Sequence, residues 1–511
     1  MENIGGLLGR GIRYVRQYGA VQLYRKIQER RQLNRLEAPY QAWLTRSQPG
    51  IEKLKAQRED KDPLAPRISI LVPAYETPRE FLLEMVESVR NQTYENWELC
   101  IADGSKSNQV EKALEKVLGQ EPRICYQHLK ENGGISQNTN AALAMAHGEY
   151  VALLDHDDLL FPQTLYEVAK AIKKNPQAEV FYTDEDKVSF DTKRHFQPHF
   201  KPDFNLELLR SNNYICHFFV VNRERAQRVG GFLSEFDGAQ DYDFIFRCVE
   251  QGGPVVHIPE ILYSWRSHAS STAADPESKL YAYQAGRRAV AAHLARLGET
   301  GQVVDTENYG FYRVKYRGKK ARREENGKTQ KQVLINSFEN LHGQKGIKVV
   351  YYGKVRNKIV TFRKRDVTDD YVLFTCVKKG KVTPGFFREL RVACERPGVG
   401  MACARVYDVH GRLSHSVVMA GVRNPLGITM KGLKKGYLGY FHRACLQQEL
   451  LEPTDCFLIK GKLLEELLRL YKEGDSDKDT VTVDMVWMGA QVREMGHRIV
   501  YEPWAVLYEQ R

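Results

Sequence analysis

Residues 150–160 read Tyr-Val-Ala-Leu-Leu-Asp-His-Asp-Asp-Leu-Leu. An apolar run suited to a buried strand ends in three carboxylates, Asp155, Asp157 and Asp158. Carboxylates this close repel one another and resist burial unless a cation neutralises them. At the C-terminal end of a parallel strand, where α/β proteins bind ligands, the simplest such cation is a divalent metal carrying phosphates. The plain alternative is a solvated turn after a strand, so the neighbouring sequence has to decide.

Each early turn at the same predicted edge carries something polar. Pro73-Ala-Tyr75-Glu76 follows a strand over 68–72, and Asp103-Gly104-Ser105 follows a strand over 97–102. Glu131-Asn132-Gly-Gly134-Ile-Ser136 precedes a helix that Ser136 is placed to cap. Its glycines let a ligand approach the N–H groups and positive dipole of that helix. Together the four loops offer an aromatic face, a nucleoside-reading carboxylate, a phosphate contact and a metal ligand set. That combination predicts a nucleotide-diphosphate site with Asp157 as a metal ligand.

The elements needed to position these loops are legible. From Arg67, strands at 68–72, 97–102, 123–127 and 149–154 alternate with helices at 79–91, 108–118 and 136–147. This order predicts an α/β fold with a doubly wound, mostly parallel sheet. Before it, residues 5–36 have helical periodicity with a basic face that includes Arg13, Arg16, Lys26, Arg30 and Arg35. Such a helix either lies on an anionic membrane surface, at about 1 kcal/mol per basic residue, or docks on the protein itself. Residues 40–62 read as a polar connector. The predicted organisation is a helical extension at 1–62, an α/β domain at 63–313, a basic linker at 314–331 and a second α/β domain at 332–511.

Composition narrows the class. The 511 residues suit two or three domains, and a hydrophobic content of 42% supports full cores. No apolar stretch reaches the roughly 20 residues of a membrane span, and the N-terminus lacks the apolar core of a secretory signal. Nine scattered cysteines form no metal-ligand spacing and fit a reducing cytoplasm. A net charge of +12 draws anions. With no nucleic-acid-binding motif, phosphorylated small molecules or anionic lipid are the expected partners and nucleic acid is not.

Residues 67–313 resemble a family 2 glycosyltransferase of the GT-A fold. The matching stretches include Ile70–Tyr75, Gln92–Ser105, Glu131–Ser136, Ala152–Asp158, Tyr182–Asp186, Gly238–Asp243 and Tyr263–His268. The subgroup resembled is bacterial and serves cell-surface polysaccharide assembly, often rhamnose-containing. The resemblance implies a metal-dependent, inverting transferase at the cytoplasmic membrane face. Its donor would be a UDP- or dTDP-linked sugar and its acceptor a surface glycan or lipid-linked oligosaccharide. Pro73, Tyr75, Glu76, Asn132, Gly134 and Asp155 would then line the donor, and Asp103 would bond the base. Asp157 would hold Mg²⁺ or Mn²⁺, with His268 as a late metal or diphosphate contact. Asp241 would be the general base, and Asp184, Glu185 and Trp265 would border the acceptor. Such relatives often carry two acids before Gly104, whereas this chain has Ala102 and Asp103.

The C-terminal half repeats part of the first. Asp370–Thr375 parallels Glu149–Leu154, and Thr454–Ile459 parallels Ile215–Val220. Where the first copy continues Asp-His-Asp-Asp, the second continues Cys376-Val-Lys378-Lys379. Lysines do not hold a metal diphosphate, so the second copy is expected to be degenerate, with Asp484 a structural acid. Two other classes compete. A nucleotidyltransferase would carry a Gly-rich basic loop after the first strand, which Pro73–Glu76 is not. A non-catalytic glycan-binding scaffold would not need the acids of the first copy.

Overall fold

Helix α1 (Ala20–Ser47) runs through Pro39, and α2 (Ile51–Glu59) follows it, where the sequence reads as a polar connector. Tertiary packing makes the difference. Tyr40 and Leu44 are buried, and the Trp43 ring meets Phe200 edge-on at 5.3 Å. The Tyr40 hydroxyl donates to Asp186 at 2.6 Å. The computed structural model describes every residue except 1–14, 17–18, 63–64, 268–279, 319–346, 353–358, 364–366, 368–369 and 472–479. The first part of the predicted basic helix therefore lies outside the described residues. Among those described, no helix is long and apolar enough to cross a membrane.

The chain forms two compact units. One is Tyr40–Tyr316 with Gly421–Pro425; the other holds the described residues of Met1–Pro39, Arg317–Ala420 and Leu426–Arg511. In the first, β1 (Ile68–Ala74) is buried along almost its whole length, as a strand covered on both faces must be. It lies between β2 (Trp97–Asp103) and β4 (Tyr150–Leu153), with β3 (Ile124–His128) beyond β2, and all three pairings are parallel. Helices α3 (Arg79–Arg90), α4 (Gln109–Leu118) and α5 (Ile135–Met145) make the crossovers. Leu82, Met85, Val86 and Val89 of α3 are fully or almost fully buried in the same core as Ile68, Ile70 and Val72. Each such burial is worth about 1.5–3 kcal/mol.

Beyond β4 the sheet becomes mixed. After β5 (Leu159–Leu160) and α6 (Thr164–Lys174) come β6 (Val180–Ser189), β7 (His195–His199), short α7 (Leu206–Leu209) and β8 (Phe219–Asn222). Then follow α8 (Arg223–Arg228), α9 (Gln240–Glu250), β9 (Val255–Ser267) and α10 (Leu280–Arg296). The strand order is β3-β2-β1-β4-β8-β6-β9-β5, with β7 on β6. Strands β10 (Gly301–Asp305) and β11 (Tyr312–Tyr316) form a separate hairpin.

The second unit contains β12 (Ile347–Tyr351), β13 (Ile359–Arg363), β14 (Tyr371–Thr375), β15 (Gly380–Val382), α11 (Phe386–Glu395) and β16 (Val399–Tyr407). It continues with β17 (Gln448–Glu449), β18 (Cys456–Lys460), α12 (Gly461–Leu470), β19 (Thr480–Asp484), α13 (Met485–Glu494) and β20 (Arg498–Glu509). Its main sheet has the order β12-β14-β18-β16-β20-β15. This repeats β1-β4-β8-β6-β9-β5, with the same parallel or antiparallel sense at every step. Among the described residues there is no counterpart of β2 or β3. The register also moves the expected alignment by one residue. Tyr150 faces Asn222 and Tyr371 faces Lys460, so Asp455, rather than Cys456, stands where the first unit has His217.

Candidate active site

Strand register gathers the early turns at one edge. Ala74 lies opposite Asp103, and Leu71 lies opposite Leu153, two residues before Asp155. Asp103 is fully buried. Its carboxylate accepts the Ser105 N–H and the Tyr126 hydroxyl, both at 2.9 Å, which satisfies a charge that burial would otherwise penalise. Pro73 pairs with Ala102, and Tyr75 leaves the strand end 43% exposed. Glu76 adopts φ +45 and joins the two turns. Its N–H donates to Ser105 Oγ at 2.7 Å, and its carboxylate accepts the Lys106 N–H at 2.8 Å and the Ser107 hydroxyl at 2.7 Å. The Ser107 hydrogen bonds hold the Glu76 carboxyl below its usual range.

The loop before α5 packs on these turns. Asn132 Oδ1 accepts the Gly134 N–H and the Asn138 amide, both at 3.1 Å. A Cβ on Gly104 would meet Asn138 Nδ2 at 2.6 Å. Gly134, at φ +86, occupies the capping position of α5, so Ser136 does not cap it as expected. Ser136 instead donates its hydroxyl to Asp237. The other Asp237 oxygen lies 2.7 Å from where a Gly134 Cβ would sit. The positive end of α5 thus faces one of the protein's own carboxylates.

The acids after β4 separate into different roles. Asp155, Asp158 and His217 each present a ligand atom, all within 4.8 Å of one another. Among the described residues this is the only such group of three; Asp157 is not part of it. Asp158 is fully buried and accepts the Tyr263 hydroxyl and, at 2.8 Å, the Arg266 N–H. Arg266 also donates from Nε to the Asp157 carbonyl at 2.6 Å. Burial pushes the Asp158 carboxyl well up, and the charges of Asp157 and Asp155 add to the effect. His217 Nε2 is 3.6 Å from Asp155. Its Nδ1 makes no hydrogen bond and lies 3.5 Å from Glu185. Its ring stacks on Tyr263 at 4.8 Å, and Trp265 borders it at 6.0 Å.

Asp184 and Glu185, expected beside the acceptor, are buried in β6. Asp184 accepts the Lys201 N–H and bonds His257 Nε2, both at 2.8 Å. Burial alone would raise the Glu185 carboxyl. The Lys201 ammonium, with His199 and His217, overrides burial and holds it well below the usual range. Asp241 stands in the first turn of α9, half-buried, and accepts the Asn213 amide at 2.8 Å. Burial pushes the Cys216 thiol up, and the charges of both Asp241 and Asp155 add to the effect, so both acids lie near this residue. The nearby Asp243 is a structural acid, bonded to Arg247 at 2.6 Å and Arg296 at 3.2 Å. His268 lies outside the described residues.

In the second unit, Lys378 and Lys379 are exposed after β14. Asp484 caps α13, accepting the Val486 N–H at 2.6 Å, in the structural role expected for it. Three participants escape sequence reasoning: His217, Lys201 and Asp237. His217 sits in the apolar run Ile215–Val220 and reads as a core residue. The cue available was its position two residues before β8, the strand that lies beside β4.

Residues 69–230 match the family model of glycosyl transferase family 2. An uncharacterized protein, y4gI, of Sinorhizobium fredii is 32% identical over 495 residues, which span 87% of this chain and 53% of that protein. The O-antigen biosynthesis protein RfbC of Myxococcus xanthus is 35% identical over 281 residues, 55% of this chain and 22% of that protein. A chondroitin synthase of Pasteurella multocida is 31% identical over 208 residues, 40% of this chain and 21% of that protein. The chain thus spans about half or less of the length of these relatives. Among solved structures, S. aureus TarS in complex with UDP-GlcNAc is similar at 19% identity and a TM-score of 0.36, covering 45% of this chain and 66% of that one.

Proposed function

We propose that this chain, with its glycosyl transferase family 2 domain at residues 69–230, is an inverting, divalent-cation-dependent glycosyltransferase. It moves a sugar from a UDP- or dTDP-linked donor to a hydroxyl of a surface polysaccharide or lipid-linked oligosaccharide. The observation that carries this reading is the grouping of Asp155, Asp158 and His217 within 4.8 Å. The two acids follow the strand end that lies near Asp103, with Asp241 in the first turn of α9 and close enough to act on the Cys216 thiol.

Two carboxylates and an imidazole suit Mn²⁺, and suit Mg²⁺ less because imidazole is the softer donor. The His217 Nε2, 3.6 Å from Asp155, supports a donor role for this ring, with Nδ1 turned to Glu185. A bound divalent cation would neutralise the charge that grows on a departing nucleoside diphosphate. Asp103, fixed by Ser105 and Tyr126, offers its remaining acceptor capacity to the base of the nucleotide, and exposed Tyr75 offers a ring face beside it. Asp241, steered by Asn213, takes the proton from the acceptor hydroxyl as it attacks the anomeric carbon. Attack opposite the leaving group in one displacement inverts that centre. Trp265 borders the acceptor side. Arg30, Arg31 and Arg35 are exposed on α1, which supports peripheral contact with an anionic membrane.

A thermal-shift screen of nucleotide sugars with and without Mn²⁺ tests the donor and metal dependence together. Stabilisation by a nucleotide sugar only when Mn²⁺ is present, lost in Asp155→Ala, is the expected outcome. Metal-independent binding that survives Asp155→Ala would sink the proposal.

A further inference from the structure

His217 is held from both sides by an ion pair whose members are outside the Asp155, Asp158 and His217 group. Its backbone N–H donates to Glu185, and its carbonyl accepts from the Lys201 ammonium. Glu185 and Lys201 lie 3.5 Å apart, and Lys201 is fully buried. The same ammonium donates to the Ile215 carbonyl at 2.9 Å, so one lysine gathers both ends of the Ile215–His217 segment. His199 Nδ1 lies 3.3 Å from the other Glu185 oxygen and fixes that carboxylate in turn.

Burying a lysine is unfavourable unless it is paired and hydrogen-bonded. Packing alone does not require this one: an apolar side chain of similar volume would fill the space without the desolvation penalty. The arrangement gains orientation instead. His217 turns Nε2 toward Asp155, while the Glu185 carboxylate that takes its backbone N–H also faces its Nδ1 at 3.5 Å and Tyr263 stacks on the ring. The ion pair thus fixes both the backbone and the edge of the imidazole. Partners that orient a ligand in this way commonly change metal affinity by about 10- to 100-fold when removed.

We infer that Lys201 and Glu185 are positioning residues that set the His217 imidazole as a metal donor by clamping its backbone. The inference rests on the metal-dependent reading above. Both residues act through His217.

The test is Mn²⁺ titration of the full chain, read by electron paramagnetic resonance of free Mn²⁺, alongside hydrogen exchange of the peptide spanning residues 213–221. Lys201→Met is expected to weaken Mn²⁺ binding by about 10- to 100-fold and to speed exchange in that peptide, with Lys201→Arg restoring part of the affinity. In a His217→Ala background, Lys201→Met should produce no further loss. An equal loss with and without the imidazole would overturn the inference, because Lys201 would then act independently of His217. So would unchanged exchange at 213–221. If the wild type fails to bind Mn²⁺, the metal reading falls, while the exchange measurement still decides whether the clamp exists. Should Lys201→Met fail to fold, the neutral pair Lys201→Met with Glu185→Gln serves in its place, since it leaves no lone buried charge.

Discussion

Ser136 donates its hydroxyl to Asp237, an acid 101 residues further along the chain. The contact joins the first turn of α5 to the loop that leads into α9 and Asp241. It satisfies a buried hydroxyl and sets a carboxylate against a positive helix end, a combination worth about 1–3 kcal/mol. Asp237→Ala should therefore lower unfolding stability by that amount in urea titration. Gly134→Ala should do comparable harm, because its φ of +86 and the Asp237 oxygen 2.7 Å from a new Cβ both oppose a side chain. Full retention of stability in both variants would show that the contact is not formed in solution.

Asp241 and Asp243 stand two residues apart and should respond differently. Asp241→Asn should reduce sugar transfer by about 10²- to 10⁴-fold, the usual range for losing a general base, with little change in melting temperature. Asp243→Ala strands the Arg247 guanidinium in a buried setting and should cost about 3–5 kcal/mol of stability. Parallel transfer assays and thermal melts separate the two. A catalytic loss in Asp241→Asn that merely tracks unfolding would remove its proposed role.

His415 gives the second unit a pH response. It is buried, and neither ring nitrogen has a hydrogen-bond partner. Burial, with help from Arg405 and Lys431 and against Asp455, lowers its pKa to about 4. A histidine depressed on folding contributes stability that is complete above about pH 6.5 and is lost as pH falls toward the folded value. Acidification from pH 7 to pH 5 should therefore remove about 2 kcal/mol through this group. His415→Leu should lose correspondingly less over the same interval in denaturant melts. Identical pH slopes in the two proteins would refute the assignment.

If the second sheet lacks the nucleotide-reading strands, the chain holds one donor site. Calorimetric titration with a nucleoside diphosphate and Mn²⁺ should give a stoichiometry of one. Lys378→Ala and Lys379→Ala should leave the donor KM unchanged. Two equivalents, or a KM raised several-fold by either lysine change, would place a second donor site in the C-terminal unit.

The legible parts of this protein are those encoded locally. Apolar runs bounded by Pro73, Asp103 and Asp155 read directly as strands ending at a ligand edge, and α3 and α4 show their buried faces by periodicity. Asp155 and Asp158 stand out because carboxylates interrupt an apolar run. Pairwise relations across long separations are harder to see. Ser136 reads as a cap because its partner lies in another loop, and His217 reads as core because its neighbours in the chain are apolar. Tyr40–Ser47 reads as connector because its stabilisation comes from Phe200 and Asp186. Asp184 and Glu185 read as acceptor-side acids because the buried partners that hold them, His257 and Lys201, are distant in sequence.

The order β12-β14-β18-β16-β20-β15 reproduces one contiguous block of the first sheet and, among the described residues, stops where β2 and β3 would begin. That block closes its own core around Phe374, Phe457 and Tyr501 without them. The mixed strands recur in both units with the same neighbours and senses, so in this architecture they make up the repeated part of the sheet, and the outer parallel strands are the part that differs.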